Sequence, residues 1–206
     1  MDGLPLHELR GNDGQEAPLC ALVIILFAAG NGAEQAQAFA RLWQPSVPHA
    51  AFVGIELDAA VERTDIAALH RTAAAAATAR SIPMSQVILL GAGAAGRVAV
   101  NLVLRGVTPA MGVIGIDIAP TPAPTRIMPT AARIRLVQRR TSEDAQAAGF
   151  RALVEAMRRQ DIDVRSMVLP EAANDAAGVT LRASGSFLVE LVANASRLPL
   201  AARRRP

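Results

Sequence analysis

The sequence contains no lysine, a single cysteine and few aromatic residues, which make up 3% of its 206 positions. One cysteine excludes an internal disulfide and fits a reducing compartment. All 21 basic residues are therefore arginine, and against 18 acidic residues they leave a net charge of only +3. With no basic run outside residues 203–205, the sequence argues against a nucleic-acid partner.

No apolar run reaches the roughly 20 residues that a bilayer-spanning helix requires. The most apolar stretch, residues 19–29, is too short to cross a membrane. Residues 1–14 carry no cationic segment ahead of an apolar one, so we expect no secretory signal and a cytoplasmic location. Cys20 leads into the apolar stretch and is predicted to be a core residue rather than a reactive thiol.

Hydrophobic residues make up 51% of the chain, enough for one sizeable core. We predict an exposed lead-in (1–17), one domain (18–198) and a basic tail (199–206). Apolar runs of strand length predict six strands at 21–27, 51–55, 87–90, 112–118, 133–137 and 164–169. Residues with helical periodicity lie between them at 33–43, 65–80, 95–104, 145–160 and 180–198. This alternation predicts an α/β protein with a doubly wound, mostly parallel sheet and helices on both faces.

The central motif is SQVILLGAGAAGRVAVNLVLRG, residues 85–106. It reads as a strand, a glycine-rich turn and a helix that ends near Gly106. Two chemistries use such a unit. Glycines spaced like Gly91, Gly93 and Gly96 let a dinucleotide pyrophosphate approach a helix N-terminus, whereas a strained elbow at the same place presents a nucleophile.

From residue 22 to about residue 196 the chain resembles the phospholipase/carboxylesterase group of α/β-hydrolases, in a minimal form without a lid domain. The central motif is similar to that family's sequence around the nucleophile, which consists of a segment leading into the strand, the strand itself, a G-F-S-Q-G-G elbow and a helix. LVIILFAAGNG resembles the strand that ends in H-G-x-G and shapes the oxyanion hole. FRALVEAMRRQDIDVRSMVLP resembles the helix, turn and final strand that lead to the catalytic histidine.

The resemblance places the three catalytic positions on residues that cannot perform serine hydrolysis. The nucleophile falls on Gly93, the acid on or near Ser142, and the histidine on Asn174. Hydrolysis needs a hydroxyl, a base and an orienting acid. The oxyanion and pocket positions fall on Phe27, Ala28, Gly30 and Ala94. We therefore expect a pseudo-hydrolase that binds a small molecule or a protein partner, without cofactor or metal, and the sequence leaves a homodimer open.

Two alternatives remain at this point. The first is a nucleotide-binding protein of the NAD(P) type, which would use the three glycines together with Asp117 at the end of the next strand; equally, Asp117 could simply cap backbone groups. The second is a hydrolase with relocated catalytic residues, drawn from Ser142, Ser184 or Ser186. The hydrolase interpretation predicts that Gly93, Ser142 and Asn174 meet at the carboxyl edge of the sheet, with Gly93 at the apex of a tight elbow.

Overall fold

The computed structural model describes residues 4–9, 19–30, 32–58, 60–61, 64–118, 126–140, 144–170 and 176–197. Their strands are β1 (Leu6–Leu9), β2 (Ala21–Ala28), β3 (Ala50–Leu57), β4 (Val87–Ala92), β5 (Gly112–Ile116), β6 (Arg133–Arg139) and β7 (Val164–Leu169). Their helices are α1 (Gly32–Trp43), α2 (Ile66–Ala79), α3 (Gly93–Leu104), α4 (Asp144–Arg158) and α5 (Ala176–Arg197). The predicted α/β class is confirmed.

The strands form one seven-stranded sheet in the order β1-β3-β2-β4-β5-β6-β7. β1 is antiparallel to β3, and every other neighbouring pair is parallel. Helices α2, α3 and α4 cover one face of the sheet, and α1 and α5 cover the other. Successive residues of β2 pack on opposite faces of the sheet. Ile24 lies in the core under α2, α3 and α4, and Ile25 lies in the core under α1 and α5. A strand buried on both faces has to be apolar throughout, which explains the unbroken run.

β1 corrects the sequence-based prediction of six strands, and it lies within the segment predicted as a lead-in (1–17). Leu6 to Leu9 pair with β3, where Leu9 lies opposite Phe52, and Leu9 is buried. The LHEL segment is short and half polar, so it carries no strand pattern of its own. It becomes a strand because the outer edge of β3 supplies its hydrogen-bond partners.

An arginine in the centre of β6 is held in the core by two acidic partners. The Arg135 side chain is 0% exposed. Its guanidinium donates to Asp163 Oδ1 at 3.0 Å and to Glu190 Oε1 at 2.8 Å. Burial disfavours its charged form, but the hydrogen bonds and charges of Glu190 and Asp163 outweigh burial and raise the pKa of Arg135 above its usual value. The pair of carboxylates thus makes a buried arginine tolerable in a strand whose central residues are all buried.

The order of the strands reverses between β2 and β4. From β2 the chain moves outward to β3, and it returns to place β4 on the opposite side of β2. Such a reversal leaves a crevice beyond the carboxyl ends of the two strands, which is where doubly wound sheets bind ligands. Among the described helices, none is both long enough and apolar enough to cross a membrane.

Candidate functional site

The turn between β4 and α3 forms a tight elbow with Gly93 at its apex. Gly93 has φ of +56° and is the first residue of α3, whereas Ala92 before it is extended. A β-carbon on Gly91 would lie 2.7 Å from the backbone nitrogen of Gly96. The two flanking glycines therefore let the strand and the helix touch backbone to backbone, as a sharp elbow requires. A β-carbon on Gly93 itself would meet no atom within 4 Å.

A cavity of about 330 Å³ opens beside this elbow, in the crevice between β2 and β4. Its walls come from the ends of both strands, from α1 and from the first turn of α3. Of the predicted pocket residues, Phe27, Ala28 and Ala94 line it. The described lining residues carry one polar side chain, Gln35, and no charged one. The cavity is thus a small apolar site at the position that the fold favours for a ligand.

Phe27, which the sequence resemblance places at the oxyanion-loop histidine position, is wedged between two glycines. A β-carbon on Gly54 in β3 would lie 2.6 Å from Phe27 Cε1, and one on Gly32 would lie 2.7 Å from Phe27 Cδ2. The ring also packs on His7, with 5.3 Å between the ring centroids. His7 is in turn bonded to Glu56 across 3.0 Å. Glycine at both positions is what allows a phenyl ring to fill this wall of the cavity.

Gly30 matches a glycine of the oxyanion-loop pattern in the sequence resemblance. It lies in the turn after β2 and has φ of +101°. A β-carbon there would meet nothing within 4 Å, so its role is conformational rather than steric. The strand-to-loop turn after β2 and the elbow after β4 thus both pass through positive φ at the same edge of the sheet. Strained or glycine-dependent turns of this kind concentrate at functional sites.

Asp117, the residue proposed to bind a ribose in the nucleotide alternative, is engaged with β6. Its Oδ1 accepts from the backbone nitrogen of Arg139 at 2.7 Å, and its Oδ2 accepts from Arg139 Nε at 2.6 Å. Asp117 has φ of +45°, a conformation that aspartate tolerates better than most residues. It therefore caps the end of the neighbouring strand, the simpler of the two roles considered for it.

No protein-family model and no curated protein matches the sequence, whereas solved structures match the fold over almost its whole length. Esterase PE8 superposes with a TM-score of 0.65 at 17% identity, covering 92% of this chain and 98% of that one. MGS-M1, an α/β-hydrolase enzyme from a Medee basin deep-sea metagenome library, gives 0.64 at 12% identity, with coverages of 94% and 100%. Esterase 2 from Thermogutta terrifontis gives 0.65 at 13% identity, with coverages of 90% and 87%.

The chain has the α/β-hydrolase fold. At these identities the likeness concerns the architecture, so the chemistry of this hydrolase-fold protein has to be argued from its own residues. Of the three predicted triad positions, Gly93 lies in the described part of the chain, at the apex of the elbow. Ser142 and Asn174 lie outside the described residues. Their predicted convergence with Gly93 therefore stays a prediction.

Ser184 and Ser186, the described candidates for a relocated nucleophile, and His70 are engaged elsewhere in the hydrolase fold. Ser184 is fully buried, and its hydroxyl donates to the carbonyl of Thr180 within α5. Ser186 likewise donates to the carbonyl of Arg182. His70 bonds Thr108 through Nδ1, at 3.0 Å. Neither serine is one of the residues that line the cavity beside the elbow.

Arg97, one turn into α3, is buried, and this desolvation lowers the pKa of its guanidinium. Within the described ranges, no group of three or more His, Cys, Asp or Glu side chains is arranged to hold a metal ion. The arrangement beside Gly93 is suited to apolar contact and to hydrogen bonding from backbone amides, and it supplies no side chain for acid–base catalysis among the described lining residues.

The lining residues that the sequence-based prediction did not include comprise, among others, Gln35, Phe39 and Val61. Phe39 has the helical spacing of the apolar face of α1, but that pattern does not distinguish a core position from a cavity wall. Val61 lies in the connection between β3 and α2, where the sequence has no periodicity. A signal was available for Gln35 alone, since it is a polar residue in the first turn of the helix that follows β2.

Proposed function

We propose that this hydrolase-fold protein is a pseudo-hydrolase that binds a small uncharged ligand in the cavity beside the elbow without cleaving it. The single observation that carries the proposal is Gly93 at the apex of the elbow, with φ of +56° and no side chain. In α/β-hydrolases the residue at this apex is the nucleophile. A glycine there has no atom that could attack a carbonyl carbon.

The lining of the cavity supports the same proposal. General acid–base catalysis needs a titratable group within hydrogen-bond reach of the reacting atoms. Among the described lining residues, no side chain titrates, and Gln35 is the one that can hydrogen-bond. Ser142 and Asn174, at the positions that the resemblance assigns to the acid and the base, could supply neither role.

The same features indicate the class of ligand. A cavity of about 330 Å³ lies at the small end of the range for ligand pockets. Leu26, Phe27 and Phe39 provide apolar walls, and backbone amides at the start of α3 provide donors for one carbonyl oxygen. A short acyl ester or a similarly small neutral carbonyl compound fits this combination, since a charged ligand would lose its hydration without gaining an ionic partner.

A fluorophosphonate probe, combined with turnover assays on short acyl esters, tests whether the protein is catalytic. We expect no stoichiometric labelling and no turnover above the uncatalysed rate. Labelling would be mapped by mass spectrometry. A labelled Ser142, Ser184 or Ser186 would overturn the proposal in favour of a hydrolase with relocated catalytic residues.

Thermal shift tests the ligand class separately. A ligand that binds only the folded protein raises its melting temperature by mass action. Methyl hexanoate should raise it more than hexanoate does. Ala94→Leu, which fills the cavity, should abolish the shift, whereas Ala152→Leu on the exposed surface of α4 should keep it. Equal shifts in both variants would place the ligand elsewhere.

The nucleotide-binding alternative is tested by including NAD and NADP in the same panel. The engagement of both Asp117 carboxylate oxygens with Arg139 favours the pseudo-hydrolase over a ribose-binding role. We therefore expect no saturable binding of either dinucleotide. Micromolar binding that Gly93→Val abolishes would reverse this ranking.

A further inference from the structure

A second cavity, of about 480 Å³, lies at the opposite edge of the sheet from the elbow. It is formed by the segments that precede β4, β5 and β6, together with the last turns of α5. The first and last of the six residues of β4 are five steps apart, which separates the two edges by roughly 17 Å at about 3.3 Å per step. This amino-edge cavity is therefore distinct from the cavity beside Gly93, and it shares none of its lining residues.

One of the described residues that line the amino-edge cavity is a cation. Arg133 lines it, and its side chain is 38% exposed. Its Nε lies 3.4 Å from Asp163 Oδ2, but Asp163 is shared with the buried Arg135. Glu190 is shared in the same way between Arg135 and Arg165. Three guanidinium groups thus face two carboxylates, and Arg133 is the member of this excess positive cluster that lines the cavity.

Neutral polar groups accompany the cation. The Thr108 hydroxyl is oriented by Nδ1 of His70, and Thr108 is only 2% exposed. Thr130 Oγ1 accepts from the backbone nitrogen of Ala132 at 3.1 Å, which leaves its O–H as a donor. Asn194 donates through Nδ2 to the carbonyl of Glu190 at 2.8 Å, which leaves its Oδ1 as an acceptor. These groups offer both a donor and an acceptor to a hydroxylated ligand.

The negative end of α3 does not exclude an anion from this edge. The last carbonyl groups of a helix repel anions chiefly when they are left without donors. Here the carbonyl of Leu104 accepts from Met128 at 2.7 Å, that of Val103 accepts from Gly106 at 3.0 Å, and that of Leu102 accepts from Val107 at 3.1 Å. The carbonyl groups that would repel an anion attracted by Arg133 are therefore hydrogen-bonded rather than free.

We propose that the amino-edge cavity binds a small hydroxylated carboxylate. Its carboxylate would pair with Arg133, and its hydroxyl groups would bond Thr130 and Asn194. Its carbon chain would lie against Pro109 and Met111, which form an apolar wall. A charge-assisted hydrogen bond to a guanidinium group is the strongest single contact on offer, so the carboxylate is the part of the ligand that the site requires most.

Three six-carbon probes separate the contributions. Gluconate carries both the carboxylate and the hydroxyls, hexanoate carries only the carboxylate, and sorbitol carries only the hydroxyls. Titration calorimetry should give saturable millimolar binding for gluconate and weaker or no binding for the other two. Hexanoate or inorganic phosphate binding as tightly as gluconate would overturn the assigned ligand class, since it would reveal a site for any anion. Absence of gluconate binding would overturn the site itself.

Variants locate the binding. Arg133→Gln should weaken gluconate binding about tenfold, the effect of losing one charge-assisted bond. Arg158→Gln, which removes an exposed arginine that pairs with Glu155, should leave it unchanged. Ala131→Phe, at an exposed position on the cavity wall, provides a second block that does not disturb the ion cluster. Unchanged gluconate affinity in both Arg133→Gln and Ala131→Phe would refute the assignment. Ala94→Leu in the other cavity should have no effect on gluconate.

Discussion

A β-carbon placed on Gly96 would lie 2.5 Å from the carbonyl oxygen of Gly91, a residue of the preceding strand. Strand β4 and helix α3 therefore meet at these two residues without room for a methyl group. This contact closes the elbow and sets the position of Gly93 between them. The spacing that resembles a dinucleotide fingerprint is thus used here for close packing of strand against helix.

Gly96→Ala should destabilise the protein by about 1–3 kcal/mol in urea unfolding, because the obstructing atoms belong to the backbone and cannot rotate away. This is a net figure, since alanine is the better helix former. Gly93→Ala is the matched control. A β-carbon at position 93 has open space around it, so the variant should lose only the free energy needed to hold alanine at positive φ, about 1 kcal/mol. A smaller loss for Gly96→Ala than for Gly93→Ala would contradict the close contact.

Gly93→Ser should not create an esterase. The new hydroxyl has room at the apex, but the serine would adopt positive φ, so we expect a loss of about 1 kcal/mol in stability. A lone serine lacks the base and acid that a triad requires. The triple variant Gly93→Ser, Ser142→Asp, Asn174→His is the comparison, assayed on a short acyl ester. Serine-dependent turnover by the single variant would mean that a general base already lies in the pocket.

Gly54→Ala should destabilise the protein because its β-carbon would lie 2.6 Å from the ring of Phe27. In a Phe27→Leu background the ring is gone and the same change should cost less. We expect a coupling energy of about 1 kcal/mol or more in this double-mutant cycle, as for residues in direct contact. Additive effects would mean that Phe27 does not depend on the glycine.

Acid should remove the stabilisation contributed by Asp163. Burial of the Asp163 carboxylate by itself would raise its pKa. The hydrogen bonds and charge of Arg135, together with the charges of Arg165 and Arg133, outweigh burial and lower the pKa of Asp163 below its usual value. A carboxyl group whose pKa is lower in the folded state stabilises the fold at pH values above its unfolded-state pKa of about 4. This stabilisation is lost as the pH falls through the folded-state pKa.

The wild type should therefore lose stability below about pH 4 more steeply than Asp163→Asn, which lacks this titration and should be less stable at pH 7. Urea unfolding at a series of pH values measures both. Glu155→Gln is the control, since its pair with Arg158 is exposed on both sides. Parallel pH profiles for the wild type and Asp163→Asn would be inconsistent with the ion cluster described here.

Leu9→Ala should cost about 2 kcal/mol, since Leu9 is buried where β1 joins the sheet. Leu6, in the same strand, is 42% exposed, and Leu6→Ala should change stability by less than about 0.5 kcal/mol. Thermal or urea unfolding of both variants checks this difference. Equal and small effects would indicate that β1 adds little to the sheet.

Most elements were predictable because their signals are local. The run ALVIILF reads as a buried strand without reference to any other residue, and β2 is observed at Ala21–Ala28. The elbow was predictable for the same reason, since Gly91 to Gly96 lie within one short turn. β1 was missed because LHEL is a strand only when the edge of β3, more than 40 positions later, accepts it.

The amino-acid sequence by itself determined the alternation of strands and helices, the place of the elbow and the absence of a nucleophile at Gly93, since each follows from neighbouring residues. Tertiary structure alone decided which distant groups meet. Arg135 can be buried because Asp163 and Glu190, 28 and 55 residues away, reach it across the sheet. Phe27 can fill the cavity wall because Gly54, in the next strand, leaves room for its ring. Periodicity along a chain reports which face of an element is buried, but the partners on that face are chosen by the packing of the whole fold.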